Sequence, residues 1–163
     1  MHFSDEFVIS CGTVTLDLQA RKVLVLFSRK AGEYLLPKGR KDIGEGLETT
    51  ALRETFEESG YTCPLLPHTL PTLAPTSIAN QVDSGRVTTE PFAVTQRTTN
   101  EVLKVIFWYL AQAYSSATQT EDTQMEDEDF ETIWAEDGKA LELLTFEDDR
   151  AIARRAMTHL GFH

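Results

Sequence analysis

The hydrophobic pattern of the chain changes period several times. From Glu6 to Leu16 apolar and β-branched residues (Phe7, Val8, Ile9, Val14) dominate, and after a polar turn Lys22 to Ser28 carries VLVLF at its centre; both segments predict strands. Glu33 to Leu36 predicts a short third strand ended by Pro37, with Lys38-Gly39 carrying the chain into a turn. The period becomes helical from about Glu48 to Ser59. There Leu52, Thr55, Phe56 and Ser59 follow the i, i+3, i+4, i+7 rule of a packing face, and Gly60 supplies a C-terminal stop. Beyond Tyr61 the prolines Pro64, Pro67, Pro71 and Pro75 and a polar run through Gly85 predict about 25 residues of extended or loop chain. Glu90 to Thr98 and Val102 to Tyr114 predict a hairpin turning near Thr99-Asn100, with Trp108 and Tyr109 as core and sheet-face residues. Gln119 to Asp129 reads as a solvated acidic loop, Phe130 to Trp134 as a last strand and Asp137 to Leu144 as a short helix. A closing helix starts at Thr145, with Asp148 placed for a variant of the capping box, and lays Ile152, Ala153, Ala156, Met157 and Leu160 on the sheet. Mixed strands with helices on both faces predict an α/β fold, a three-layer α/β/α sandwich with a mixed sheet.

Composition narrows the class. The 163 residues, 41% hydrophobic and 25% charged, suit one domain over residues 1–163. No run approaches the ~20 apolar residues of a membrane span. The N-terminal MHFSDEFVIS lacks a basic and apolar leader, so a cytoplasmic location is the default expectation, with secretion open if a signal segment has been removed. Cys11 and Cys63 read as two buried free thiols. A net charge of −11 argues against general nucleic-acid binding. It leaves a polyphosphate substrate open, because Arg29, Lys30, Lys38, Arg40 and Lys41 cluster locally.

The chemistry concentrates between Gly39 and Tyr61. Glu54, Glu57 and Glu58 are spaced so that, at ~100° per residue, their carboxylates fall within one arc of a helix. Crowded carboxylates repel, and no lysine lies between Lys41 and Lys104 to relieve them. A hard divalent cation, Mg²⁺ or Mn²⁺, relieves the repulsion through oxygen ligands. The bare ExxEE spacing also decorates many solvated helices. Gly44 and Gly46 let Glu45 fold back toward the helix, and Arg53 reads as a clamp on that loop or on Glu57, since a guanidinium can fix a carboxylate bidentately.

The whole pattern, Gly39, Glu45, Arg53-Glu54, Glu57-Glu58 and Gly60, resembles the Nudix box, Gly-x5-Glu-x7-Arg-Glu-U-x-Glu-Glu-x-Gly-U, with Thr55 and Tyr61 departing from the bulky aliphatic U positions. The resemblance implies a Nudix hydrolase, a metal-dependent pyrophosphohydrolase. Its metal ligands would be Glu54, Glu57 and Glu58, with catalytic roles among Glu45, Arg53, Glu54 and Glu57, and Gly39 and Gly60 would shape the motif. The proton acceptor stays open among the helix glutamates, Glu45 and the acidic loop 119–129. Lys38 and Arg40 would sit at the mouth of the site, and Arg29, Lys38, Arg40 and Lys41 are the candidate substrate-binding cations. The segments LLPKGR, ALRETFEESGY, EPF and LTFEDDR are further similar to fungal-type diphosphoinositol polyphosphate and diadenosine polyphosphate phosphohydrolases. An inositol pyrophosphate suits the basic cluster better than an adenine base does, a diadenosine polyphosphate is the alternative, and a non-catalytic ligand-binding module is a third reading.

Overall fold

The computed structural model describes residues 1–75 and 86–162. The elements in chain order are β1 (Phe7–Asp17), β2 (Lys22–Ser28), β3 (Glu33–Leu35), β4 (Lys38–Arg40), α1 (Leu47–Ser59), β5 (Ala93–Thr99), β6 (Val102–Gln112), β7 (Phe130–Glu136), α2 (Asp137–Leu143) and α3 (Glu147–His159). Most boundaries fall where the pattern puts them. β5 starts at Ala93, two residues after Pro91, which has no N–H to give a ladder. The β5–β6 turn is made by Asn100 and Glu101, both at positive φ (50° and 64°), the backbone a two-residue hairpin requires. Part of the long loop expected through Gly85 lies outside the described residues; the described part makes only isolated bridges, Leu65 to Ala111 and His68 to Thr88.

The sheet runs in the order β3-β2-β1-β6-β5 and is mixed: β1 and β6 are parallel over ten residue pairs and the remaining ladders are antiparallel. A strand has two edges. On β1 one edge is filled by β6, and on β2 one edge is filled by β7 along its whole length. Their free edges meet only at Leu16 with Val23 and Asp17 with Lys22, and then diverge. Into that wedge the chain inserts β3, Leu36-Pro37 and β4, which pairs with β1 at Ser10–Arg40, Cys11–Gly39 and Gly12–Lys38. Lys38-Gly39, expected as a turn, is therefore a short strand. The unpaired edge of β1 captured it.

Helices cover both faces. Val14, Leu16, Val23, Val25, Ile106, Trp108 and Leu110 meet α2 and α3 through Ala140, Leu144, Ile152, Ala153, Ala156 and Met157. On the opposite face Cys11 and Tyr109 pack on Ala51 of α1. Both cysteines are free and buried, and Trp108 and Tyr109 are core residues, 0% and 2% exposed. The face α1 buries differs from the expected one: Thr50, Ala51, Glu54, Thr55, Glu58 and Ser59 are inside, while Leu52 and Phe56 are only half-buried. Small residues bring the helix close to β1, and two glutamates ride in with them.

Thr55, an exception to the aliphatic pattern, is fully buried yet satisfied: its hydroxyl pairs with that of Thr13 (2.8 Å) and donates to the Ala51 carbonyl (2.8 Å). Tyr61, the other exception, packs edge-on against Trp134 with centroids 5.4 Å apart. The capping box expected at α3 is absent. The Thr145 hydroxyl oxygen instead accepts the Tyr34 N–H (2.9 Å), and Phe146 occupies the N-cap without a side-chain bond. Asp148 is diverted to Arg97, whose guanidinium donates to Asp148 (2.9 and 3.0 Å) and to the fully buried Asp149 (2.7 Å) and lies over the Phe146 ring.

Removing one partner of a buried ion pair strands the other charge, at about 3–5 kcal/mol. Arg97→Ala is expected to lower unfolding stability by about 3 kcal/mol in urea titration, and adding Asp149→Asn to recover more than half of the loss. A loss within experimental error in the single variant contradicts this role for the pair.

Candidate active site

β4 and α1 place two carboxylates at the wedge. Gly39 sits directly against Glu54, and a Cβ built at residue 39 would collide with the Glu54 carboxylate, so only glycine lets strand and helix approach this closely. One residue earlier the Lys38 N–H donates to Glu58 Oε2 (2.8 Å). Glu54 and Glu58 are 8% and 4% exposed. Burial pushes both acids up, Glu54 against the pull of Arg53, and Glu58, to about 8, against that of Lys38; Glu128 adds to the upward push on each.

Glu128 completes the cluster: one carboxylate oxygen from each of Glu54, Glu58 and Glu128 lies within 4.8 Å of the others. The acidic loop that carries it is bonded to the C-terminal end of α1. The last carbonyls of a helix have no intrahelical donor, and α1 has no basic residue in its last turn. Side chains of the loop and of β7 fill those places. Thr123 Oγ1 donates to Glu57 O (2.8 Å), Gln124 Nε2 to Glu58 O (3.2 Å), and Gln119 Nε2 and Thr132 Oγ1 to Ser59 O (2.9 and 3.0 Å). Gly60, at φ +76°, receives the Thr120 N–H on its carbonyl, and a Cβ there would strike the Thr120 backbone. Capping therefore selects one acid of the six in the loop. Composition could not distinguish them; the Gln and Thr residues between the acids were the available signal.

Arg53 organises the opposite side. Its five N–H groups all donate: Nε and Nη2 to Glu45 (2.7 and 3.0 Å), Nη1 to Glu54 (2.8 Å) and Glu57 (2.9 Å), and Nη2 to the Arg40 carbonyl (2.9 Å). Glu45 also accepts the Asp42 N–H (3.0 Å) and the Thr50 hydroxyl (2.7 Å), a fold-back made possible by Gly44 at φ +79°. The Arg53 bonds hold the Glu45 carboxyl at about 2, which leaves it a poor proton acceptor. Glu57 separates from its two neighbours. It is half-buried, bound to Arg53 through one oxygen, and outside the converging trio.

The four candidate cations divide as well. Lys38 and Arg40 flank Gly39 on β4 and project away from α1. Lys41 Nζ donates to the Asp42 carbonyl (2.9 Å). Arg29 anchors the acidic loop, pairing with Asp129 (2.8 Å) and Glu131 (3.3 Å) while its N–H donates to the Asp129 carbonyl. The donor set of Glu54, Glu58 and Glu128, all hard oxygen and all of one charge, fits a divalent cation of the Mg²⁺ or Mn²⁺ type.

A family model described as the NUDIX domain matches residues 8–155. The chain belongs to the Nudix family. It is a Nudix hydrolase, a pyrophosphohydrolase for phosphoanhydride-type substrates. Solved structures share the fold at low identity. A C. elegans Ap4A hydrolase binary complex aligns with TM-score 0.67 and 19% identity over 96% of this chain and 99% of that one. The MutT protein from Methanosarcina mazei Go1 aligns with 0.62 and 18% over 94% and 95%. The NUDIX domain of Shewanella oneidensis NrtR complexed with ADP ribose gives 0.63 and 18% over 94% and 88%. A comparison with curated protein sequences finds no match.

In this Nudix hydrolase the Arg53–Glu45 clamp ties the loop before α1 to the carboxylate cluster. Because Glu45 has a folded pKa near 2 against about 4.5 unfolded, its ionised form contributes stability that is complete above pH 4.5 and lost as pH falls toward 2. Glu45→Gln is expected to cost about 1–3 kcal/mol at pH 7. The gap between wild type and variant, followed by urea unfolding at pH 7, 4.5 and 3, should be nearly the same at the first two and clearly smaller at pH 3; a gap independent of pH refutes the charge-based clamp.

Proposed function

We propose that this Nudix hydrolase cleaves a phosphoanhydride bond of a compact, densely phosphorylated substrate, an inositol pyrophosphate. Glu54, Glu58 and Glu128 would hold Mg²⁺ or Mn²⁺ at the wedge. Bound there, the ion neutralises charge on phosphate oxygens and lowers the pKa of water. Glu57 is the proton acceptor in this reading: it is half-buried and Arg53 bonds one of its oxygens, whereas Glu45 has both oxygens engaged. Arg53 and Gly39 position the carboxylates and do not touch the substrate.

The observation that carries the substrate class is the character of the surface beside the carboxylates. Lys38 and Arg40 stand there without a carboxylate partner among the described residues. Trp108 and Tyr109 are packed in the core and cannot stack a base without unpacking it. Free cationic charge beside the carboxylates, with Trp108 and Tyr109 committed to the core, favours an inositol polyphosphate over an adenine. The likeness to the C. elegans Ap4A hydrolase supports the second reading, a diadenosine polyphosphate.

Phosphate release with Mg²⁺ from an inositol pyrophosphate, diadenosine hexaphosphate and ADP-ribose separates the two. The expected kcat/KM is at least ~10-fold higher for the inositol compound, a difference of about 1.4 kcal/mol. Preference for the dinucleotide moves the assignment to the second reading. Glu57→Gln should lower kcat by ~10²–10³ while Mn²⁺ affinity stays within a few-fold, and Glu128→Gln should weaken Mn²⁺ binding by ~10-fold or more. Wild-type kcat in Glu57→Gln removes it as the base.

A further inference from the structure

The sheet ends on one side at β3, three residues long, and on the other at β5, seven residues long. β5 pairs with β6 in unbroken register from Ala93–Trp108 to Thr99–Val102, and among the described residues no strand pairs with its other edge. An antiparallel strand sends alternate backbone N–H and C=O groups to each of its sides, so the outer row of β5 has no ladder partner. Proteins commonly blunt such an edge with a lysine, a proline, a bulge or a very short strand. AVTQRTT has none of these. Its one charge, Arg97, is turned toward α3 and held by Asp148 and Asp149.

Alternation sorts the side chains of β5. Ala93 joins the core under α3, and Thr95 on the same face accepts the Trp108 indole N–H (2.8 Å). Val94, Gln96 and Thr98 are exposed on the opposite face, Val94 at 56%. They lie beside Phe107, Val105 and Leu103 of β6, which in turn lie beside Cys11, Ile9 and Phe7 of β1. Helix α1 covers the Cys11 end of this face through Ala51 and Leu47, while at the other end Phe7 is 36% exposed. An uncharged margin thus runs from β1 to the open edge, in a chain of net charge −11.

That contrast selects the occupant. Two molecules of the same strong charge repel over most of their surfaces, and an uncharged edge is where they can meet without opposing charges. β5 is also complementary to itself. Laid antiparallel against its own copy about Gln96, it sets Val94 opposite Thr98, a β-branched pair of the kind that stabilises sheets, and Gln96 opposite Gln96. A primary amide is donor and acceptor at once, so two of them satisfy each other. We propose that β5 is a homodimer interface, at which two copies join edge to edge about Gln96 and merge their sheets. The wedge with Glu54, Glu58 and Glu128 adjoins β4, on the other side of β1 from β6, so pairing leaves both sites open. Glu90 and Glu101 lie beyond the two ends of the strand and come near one another across the pair; both are exposed, so added salt screens their repulsion.

Sedimentation velocity over ~1–100 μM protein is the test, and wild type is expected to pass from monomer to dimer within that range. Gln96→Lys and Gln96→Glu each set like charges opposite one another at the axis and should weaken association at least ~10-fold. An equimolar mixture of the two variants opposes lysine to glutamate and should restore the dimer. Because Gln96 is exposed, each variant should keep the wild-type melting temperature, which separates lost pairing from lost folding. Raising NaCl from ~50 to ~500 mM should tighten the wild-type dimer. A wild-type monomer at every concentration overturns the proposal and leaves the edge to an extended segment of a different protein. A dimer indifferent to both substitutions overturns it too, as does a mixture that stays monomeric.

Discussion

Three carboxylates converge within 4.8 Å at the wedge between β1 and β2, and the surrounding structure holds them there against their mutual repulsion. Two of them are nearly inaccessible to water, which at the low dielectric of a protein interior raises the cost of ionising them together. The holding groups come from every direction. Arg53 fixes Glu54 from the helix, the Lys38 N–H fixes Glu58 from β4, and the Met125 N–H bonds Glu128 (3.1 Å) from within the acidic loop. The absence of a side chain at Gly39 gives Glu54 its room.

That constraint accounts for features that otherwise look unrelated. β1 and β2 separate after two residue pairs, and the separation lets β4 lie against β1 with its backbone donor aimed at α1. Helix α1 buries threonine, alanine and serine where a larger apolar stripe would hold it farther off, and the Thr13–Thr55 bond satisfies the polarity this brings inside. The acidic loop, which could have been a solvated excursion, is fastened to the helix end by side-chain donors to the carbonyls of residues 57, 58 and 59 and by the Thr120 backbone N–H to that of Gly60. Arg29 and Lys30 tie its far end to the sheet through Asp129 and the Asp127 carbonyl. A helix cap and an acid placement are one and the same device.

Charge is sorted by face. On the α1 side the cations are consumed internally: Arg53 by Glu45, Glu54 and Glu57, Lys41 by a backbone carbonyl. On the other side Lys38, Arg40 and Lys104 form no ion pair among the described residues. The alternation of side chains along β4 separates the two populations.

Much of this was legible in the chain. Alternation and helical period located the strands and α1, because burial on one face imposes those periods directly. The glutamate spacing announced the chemistry, and the glycines marked where backbone and carboxylate approach. Other features were decided only by contacts between distant segments. Lys38-Gly39 became a strand because β1 had an open edge, Glu57 pairs with Arg53 outside the converging trio, and Arg29 went to Asp129, a hundred residues away. Glu128 joined the carboxylate cluster for the same reason, through a helix cap. Sequence determines which periods and which chemical groups a chain possesses, since those are properties of neighbours along the backbone. Which of several equal acids or cations reaches a given point depends on ladders and caps between segments far apart, and no local pattern encodes that choice.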